Sequence, residues 1–400
     1  MRILFVHNRY QQAGGEDRAV DLETRLLIEK GHAVKTLFFD NQGITDSLFQ
    51  KLITLKNAIY NTASAKALKL AILEFRPDII HVHNLFFVAS PAILKEAARQ
   101  FIPVVATLHN YRLICCNALL LRDNKPCEIC IRKKLPLAGI RHACYRGSPV
   151  ASAMVTLSTA LPKFRNNWSK WVDQYIVLTE FSKKKFTSSS LGARPEQLII
   201  KPNFVPDPGI GKSVRDPYFL YVGRISSEKG VQVLVKAFND LPHIKVRIAG
   251  DGPDKASLMS DHPSAANIEF LGDCSHSEIL ELMKASMALI LPSIWYEGLP
   301  YVMLEAFSTG TPVIASNLGA MASVIEDGKN GLVFAPGSVK ELKSAILRFN
   351  ENRGNNSVSK ENMYALARGT YLKYFHPEIH YQSVIAIYDQ SIRKIKNRTP

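Results

Sequence analysis

Short, continuous apolar runs alternate with stretches of helical periodicity along most of the chain. RILFVH is followed by a helical pattern from Ala19 to Lys30, then by AVKTLFF. Further on come DIIHVH, PVVATLH and YIVLT, each trailed by a polar or helical segment. Runs without polar alternation suit strands buried on both faces, and helices between them make the strands parallel. The rhythm breaks at Lys201 to Pro217, where KPNFVPDPGIGKSVRDP holds four prolines and two glycines that neither a helix nor a central strand accepts. It then restarts with YFLYVG, KVRIAG, NIEFLG, ALILPS, PVIAS and GLVFAP. The pattern predicts an α/β protein of two Rossmann-like, doubly wound domains, 1–205 and 206–375. A last helix within 376–400 is expected to cross back to the first domain. Open α/β sheets bind ligands outside the carboxyl ends of their strands, so the expected active site is a cleft between the domains.

Composition changes this picture little. Four hundred residues, 46% hydrophobic and 21% charged, fit two globular cores and exclude fibrous or disordered classes. MRILFV reads as a first strand rather than a leader, and the longest apolar run, Met287 to Trp295, is too short to span a membrane. A cytoplasmic location is expected. The net charge of +15 adds more. Basic residues gather between Arg122 and Lys185, including Arg132, Lys133, Lys134, Arg141, Arg146, Lys163, Arg165 and the run Lys183 to Lys185. The acids there are Asp123, Glu128, Asp173 and Glu180. Such a surface suits an anionic membrane, a phosphorylated substrate or nucleic acid, or it is a solvated face.

Three motifs carry chemistry. EGLPYVMLE follows the strand ALILPS, with Pro300 suited to a first helical position. Glu297 and Glu305 then flank a helix start at which the amides of Gly298 and Leu299 could meet a diphosphate, while the carboxylates accept bonds from hydroxyls. GRISSEKG follows YFLYV; Arg224 and Lys229 form a plausible diphosphate clamp, with Gly223 and Gly230 permitting close backbone approach. Gly14 and Gly15 precede the first helix without the three-glycine dinucleotide spacing.

Together these segments, with IAGDGP and the run continuing to EAFSTGTPVIAS, resemble the large retaining glycosyltransferase family of the group 1, or family 4, type, whose members carry two glutamates eight apart on the GT-B fold. The resemblance implies that Arg224 and Lys229 hold the diphosphate of a nucleotide-sugar donor, Glu305 its ribose and Glu297 the hydroxyls of its sugar. Gly14 and Gly15 would close over the donor phosphates, and His109 would stand beside the reacting sugar. Asn110 occupies a position where many relatives have Asp. The lack of that carboxylate agrees with retention, in which the leaving diphosphate takes the acceptor proton. No Asp-x-Asp triplet occurs, so the clamp is expected to replace a catalytic metal ion. The implied acceptor is a sugar or lipid-linked glycan in polysaccharide or lipopolysaccharide synthesis, reached from the inner face of a membrane.

Five of the six cysteines lie between Cys115 and Cys144. The C-x-x-C pair Cys127 and Cys130, with Cys115 and Cys144, suits a structural zinc; the same residues also fit buried cysteines without metal. This stretch resembles a subgroup with a cysteine-bearing insertion, in which Cys116 stands at a proline position. Two further classes remain open: an inverting transferase or epimerase on the same fold, and a basic nucleic-acid-binding module. The latter leaves Arg224, Lys229, Glu297 and Glu305 without a purpose.

Overall fold

A computed structural model describes residues 1–9, 14–40, 48–261, 266–351 and 360–396. The chain divides into two compact units. One comprises Met1–Leu120, Cys127–Pro202 and Tyr381–Pro400, the other Leu121–Pro126 and Asn203–His380.

The first unit is built on six strands: β1 (Arg2–Arg9), β2 (Ala33–Asp40), β3 (Ile79–Asn84), β4 (Val104–Leu108), β7 (Gln174–Val177) and β8 (Leu198–Ile200). All pair in parallel in the order β2-β1-β3-β4-β7-β8, with Arg2 opposite Ala33 and Arg9 opposite Asp40. A short antiparallel hairpin, β5 (Leu121–Arg122) with β6 (Lys125–Pro126), interrupts the cysteine segment. Neither β8 nor the hairpin was among the expected strands, because runs of two or three residues carry no period. The first helix, Gly15–Glu29, begins four residues earlier than its apolar pattern. Asp17 accepts the Gly14 amide at 2.9 Å, so a polar capping turn precedes the amphipathic part.

The second unit repeats the design with β9 (Tyr218–Val222), β10 (Lys245–Ala249), β11 (Ile268–Gly272), β12 (Ala288–Leu291), β13 (Val313–Ser316) and β14 (Gly331–Phe334), in the order β11-β10-β9-β12-β13-β14. In both sheets the strand order reverses beside the first strand, between β1 and β3 and between β9 and β12. Those two switch points mark where a ligand is expected.

The final helix, Pro377–Lys396, supplies Val384, Ile387 and Tyr388 to a core shared with Ile3, Phe5, Ile79, Val105 and Ile176. A buried polar network lies beside this core. Lys201, just after β8, donates to Glu23 Oε2 at 3.2 Å, and the two side chains are only 2% and 3% exposed. Glu23 Oε1 lies 3.0 Å from His81 Nδ1 and accepts from the Tyr388 hydroxyl at 3.3 Å. His81 Nδ1 meets the same hydroxyl at 2.7 Å, and its Nε2 meets Thr107 Oγ1 at 2.8 Å. Removing one partner of such a pair leaves an uncompensated charge. Lys201→Met is therefore expected to lower stability by about 3–5 kcal/mol, and the double variant Glu23→Gln/Lys201→Met to recover most of that loss. Urea unfolding followed by circular dichroism measures both; equal losses in the single and double variants would contradict the coupling.

Candidate active site

In the second unit, the loops leaving β9 and β12 are locked together by backbone contact. Gly230, at φ 70°, starts the helix Val231–Asn239, and a side chain there would overlap the carbonyl of Pro292. The Ile294 amide donates to the Glu228 carbonyl at 3.0 Å. This close approach brings Lys229 to Glu297. Glu297 Oε1 accepts from Lys229 Nζ at 2.7 Å, Ser293 Oγ at 2.8 Å and Trp295 Nε1 at 3.0 Å. Three donors on one oxygen fix the carboxylate and leave Oε2 with no protein partner among the described residues. Glu297 is 6% exposed and Glu305 4%, so neither is a solvated surface acid. Glu305 lies within the helix Tyr301–Ser308, its Oε1 3.5 Å from His276 Nδ1. The amides of Gly298 and Leu299, just before that helix, meet no protein acceptor among the described residues. Arg224 is exposed, and its guanidinium has no partner among the described residues. Beside the β9/β12 switch point the structure thus assembles two free amides, a free guanidinium, a lysine with donors to spare and two buried carboxylates.

In the first unit, a cleft lies at the carboxyl ends of β3 and β4. Its lining includes His109, Asn110, His83, Glu16, Arg112 and Trp168. His109 Nε2 and His83 Nδ1 share a hydrogen bond of 2.9 Å, while His83 Nε2 is buried without a partner. Burial pulls the pKa of His109 down to about 3 and that of His83 well below its ordinary value, and nearby histidines add to the effect. His109 is therefore a neutral imidazole. Asn110 has no carboxylate of its own but donates to Glu16, which places one in the cleft. Gly15 begins the helix, whereas the Gly14 amide is already taken by Asp17; a side chain at 14 would meet nothing within 4 Å. Within this unit, close packing does not demand glycine at 14.

Glu16, Glu23, His81, His83 and Lys201 escaped the sequence reading. Only HVHN held a usable signal, because residues two apart on a strand share a face. Glu23, His81 and His83 bring ligand atoms within 4.8 Å of one another. Lys201 already neutralises that carboxylate and both His81 nitrogens are engaged, which argues against a cation there. Among the described residues the four cysteines are not gathered this closely, although the thiols of Cys115, Cys127 and Cys144 all raise the pKa of Cys130, which burial chiefly pushes to about 11. Lys163 departs from the surface reading. It is 2% exposed, because its helix Pro149–Phe164 turns that face inward.

The depressed imidazoles have a consequence for pH. Unfolded histidines bind a proton near 6.5, whereas His83 and His109 in the fold do not, so the unfolded chain holds more protons below that value. Stability should be fully present above about pH 6.5 and decline as pH falls towards about 3. Ring-nitrogen NMR at pH 5 is expected to show both side chains neutral; protonation of His109 between pH 6 and 7 would contradict this.

Two family models match in tandem, one described as Glycosyltransferase Family 4 over residues 13–207 and one as Glycosyl transferases group 1 over 207–366. Among characterised proteins, an exopolysaccharide phosphotransferase of Streptomyces coelicolor is 34% identical over 191 residues, 44% of this chain and 19% of that one. A glycogen synthase of Mycobacterium tuberculosis is 35% identical over 134 residues, 32% of each chain. The alpha-D-kanosaminyltransferase of Streptomyces kanamyceticus is 33% identical over 139 residues, 33% of this chain and 36% of that one. The chain thus matches about a third or less of the length of these relatives. Among solved structures, HepE of Anabaena in complex with UDP superposes with a TM-score of 0.70 at 16% identity, over 98% of this chain and 100% of that one. Sucrose-phosphate synthase of Thermosynechococcus elongatus gives 0.71 at 17% identity, over 97% and 98%. The fold is GT-B, and the chain belongs to the group 1 glycosyltransferases of the family 4 type.

Proposed function

We propose that the chain transfers a sugar from a nucleoside-diphosphate sugar to a sugar or lipid-linked glycan acceptor, with retention of configuration and without a catalytic metal ion. The observation that carries this reading is the group beside the β9/β12 switch point: Glu297 held through one oxygen by Lys229, Ser293 and Trp295, next to the unpartnered amides of Gly298 and Leu299. The amides, Arg224 and the remaining donors of Lys229 meet a diphosphate. Glu305 takes a ribose hydroxyl, and the free Oε2 of Glu297 takes a hydroxyl of the sugar. HepE, solved with UDP and with UDP-glucose, supports a nucleotide-sugar donor. The neutral imidazole of His109 offers a hydrogen bond to a sugar hydroxyl. As the acceptor oxygen bonds to the anomeric carbon, the bond from that carbon to the diphosphate breaks, and the acceptor proton passes to the departing phosphate oxygen. Glu16 is the observation that would favour an inverting route, since it could act as a base.

Transfer from a panel of nucleotide sugars, with the anomeric configuration of the product read by NMR, separates the two routes. Retention, activity in excess EDTA and a loss of about a hundredfold in Glu297→Ala at saturating donor are expected. Inversion, a strict need for magnesium or manganese, or near-normal turnover in Glu297→Ala would each overturn the corresponding part.

We further propose attachment to an anionic membrane surface. No helix among the described residues is long and apolar enough to cross a membrane. Arg132, Lys133, Lys134, Arg141 and Arg146 are exposed, and so are Ile129, Leu135, Leu137 and Val150 in the same stretch of chain. Cations beside apolar side chains suit a headgroup boundary, each contributing on the order of 1 kcal/mol. Lys185 is paired with Glu128 and counts for less. Co-sedimentation is expected with vesicles containing phosphatidylserine and not with neutral ones, fading at high salt; equal binding to both, or to neither, would refute it.

A further inference from the structure

We propose that Cys115, Cys127, Cys130 and Cys144 hold one zinc ion, with the buried ammonium of Lys163 as its counter-charge. The thiols are arranged in two pairs, each organised by the backbone of one residue. Leu120 accepts the Cys127 amide at 2.7 Å, and its backbone also hydrogen-bonds the Cys115 thiol. Gly139 repeats the arrangement, accepting the Cys144 amide at 3.0 Å while its backbone hydrogen-bonds the Cys130 thiol. Backbone bonds to sulfur favour the thiolate and orient it, as the outer partners of metal ligands do.

Lys163 is the independent observation. Its ammonium donates to Ser190 Oγ at 3.2 Å and pairs with no carboxylate among the described residues. Isolated buried charge is costly. Ser190 is itself tied to the cysteine segment, its amide donating at 2.8 Å to the carbonyl of Ile131, the residue after Cys130. The ionisable groups whose negative form favours this ammonium are the thiols of Cys130 and Cys115. Zinc with four thiolates carries a net charge of −2, which a neighbouring ammonium offsets. The step needs no oxidant: four S–H groups release four protons to water as four zinc–sulfur bonds form. No three of these sulfurs lie within 4.8 Å of one another in the described arrangement, so binding requires the four side chains to close on the ion. Zinc suits a site of four thiolates, having no geometric demand beyond the tetrahedron they make. The ion would cross-link the segment that starts three residues after Arg112, itself part of the cleft lining.

The test begins with zinc per chain in full-length protein purified under reducing conditions without added metal. One equivalent is expected. It should persist in Cys274→Ser and fall below about a tenth of an equivalent in Cys127→Ser/Cys130→Ser. Cobalt(II) added to stripped wild-type protein should give the absorption of a tetrahedral tetrathiolate, a readout that does not depend on any variant folding. Competition with a chelator is expected to show affinity about ten- to a hundredfold weaker in Lys163→Met. Wild-type protein with less than about a tenth of an equivalent, the same zinc content in the double variant, or a Cys127–Cys130 disulfide in the purified protein would overturn the site. Unchanged affinity in Lys163→Met would overturn the counter-charge.

Discussion

Glu23 sits on the first helix with its carboxylate almost wholly removed from water, and three other parts of the first unit converge on it. The coil after β8 brings Lys201, β3 brings His81 and the last helix brings Tyr388, while Thr107 on β4 holds the far nitrogen of His81. A charge in that position tolerates little variation, because every displaced donor leaves a group that neither water nor hydrocarbon can satisfy. The same ring network continues outward. His83 packs against His81 at 4.3 Å between ring centres and bonds to His109 at the edge of the cleft. The neutral state of His109 is therefore set by the interior of the unit, where burial outweighs the attraction of Glu23.

The second unit solves a related problem in a smaller space. Glu297 is also buried, but its donors come from two neighbouring residues of its own loop, Ser293 and Trp295, and from Lys229 across a glycine that lets two backbones touch. Concentrating all of them on one oxygen separates two tasks. One oxygen anchors the side chain, and the other stays available. Lys229 is a structural partner of the carboxylate and, in the proposed function, also the cation that meets a diphosphate, so on that reading losing it would disturb both contacts.

Sequence alone made eleven of the twelve strands of the two six-stranded sheets visible, because each was a short, largely apolar run bounded by polar or glycine-rich text. It missed β8, whose three residues run directly into Lys201-Pro202. The second unit's site was legible for a related reason: Arg224, Lys229, Glu297 and Glu305 lie in two short motifs after two recognisable strands. The first unit's network was not. Glu23, His81, Lys201 and Tyr388 are scattered from one end of the chain to the other, and no local pattern links them. Lys163 misled in the opposite direction, since a lysine in a basic segment reads as surface unless the partners of its helix are known.

The last helix gives the fold an order in time. Val384, Ile387 and Tyr388 complete a core whose other members begin at Ile3, so a growing chain finishes the second unit's strands before it has made the residues that close the first. Until then the surface awaiting that helix is exposed while synthesis proceeds, and the hydroxyl that bonds Glu23 and His81 has not been made. Domains of growing chains generally fold in order from the amino terminus. Here the first unit can collapse early but cannot lock until synthesis has passed Tyr388, and a chain terminated between the two events would leave it open on that side.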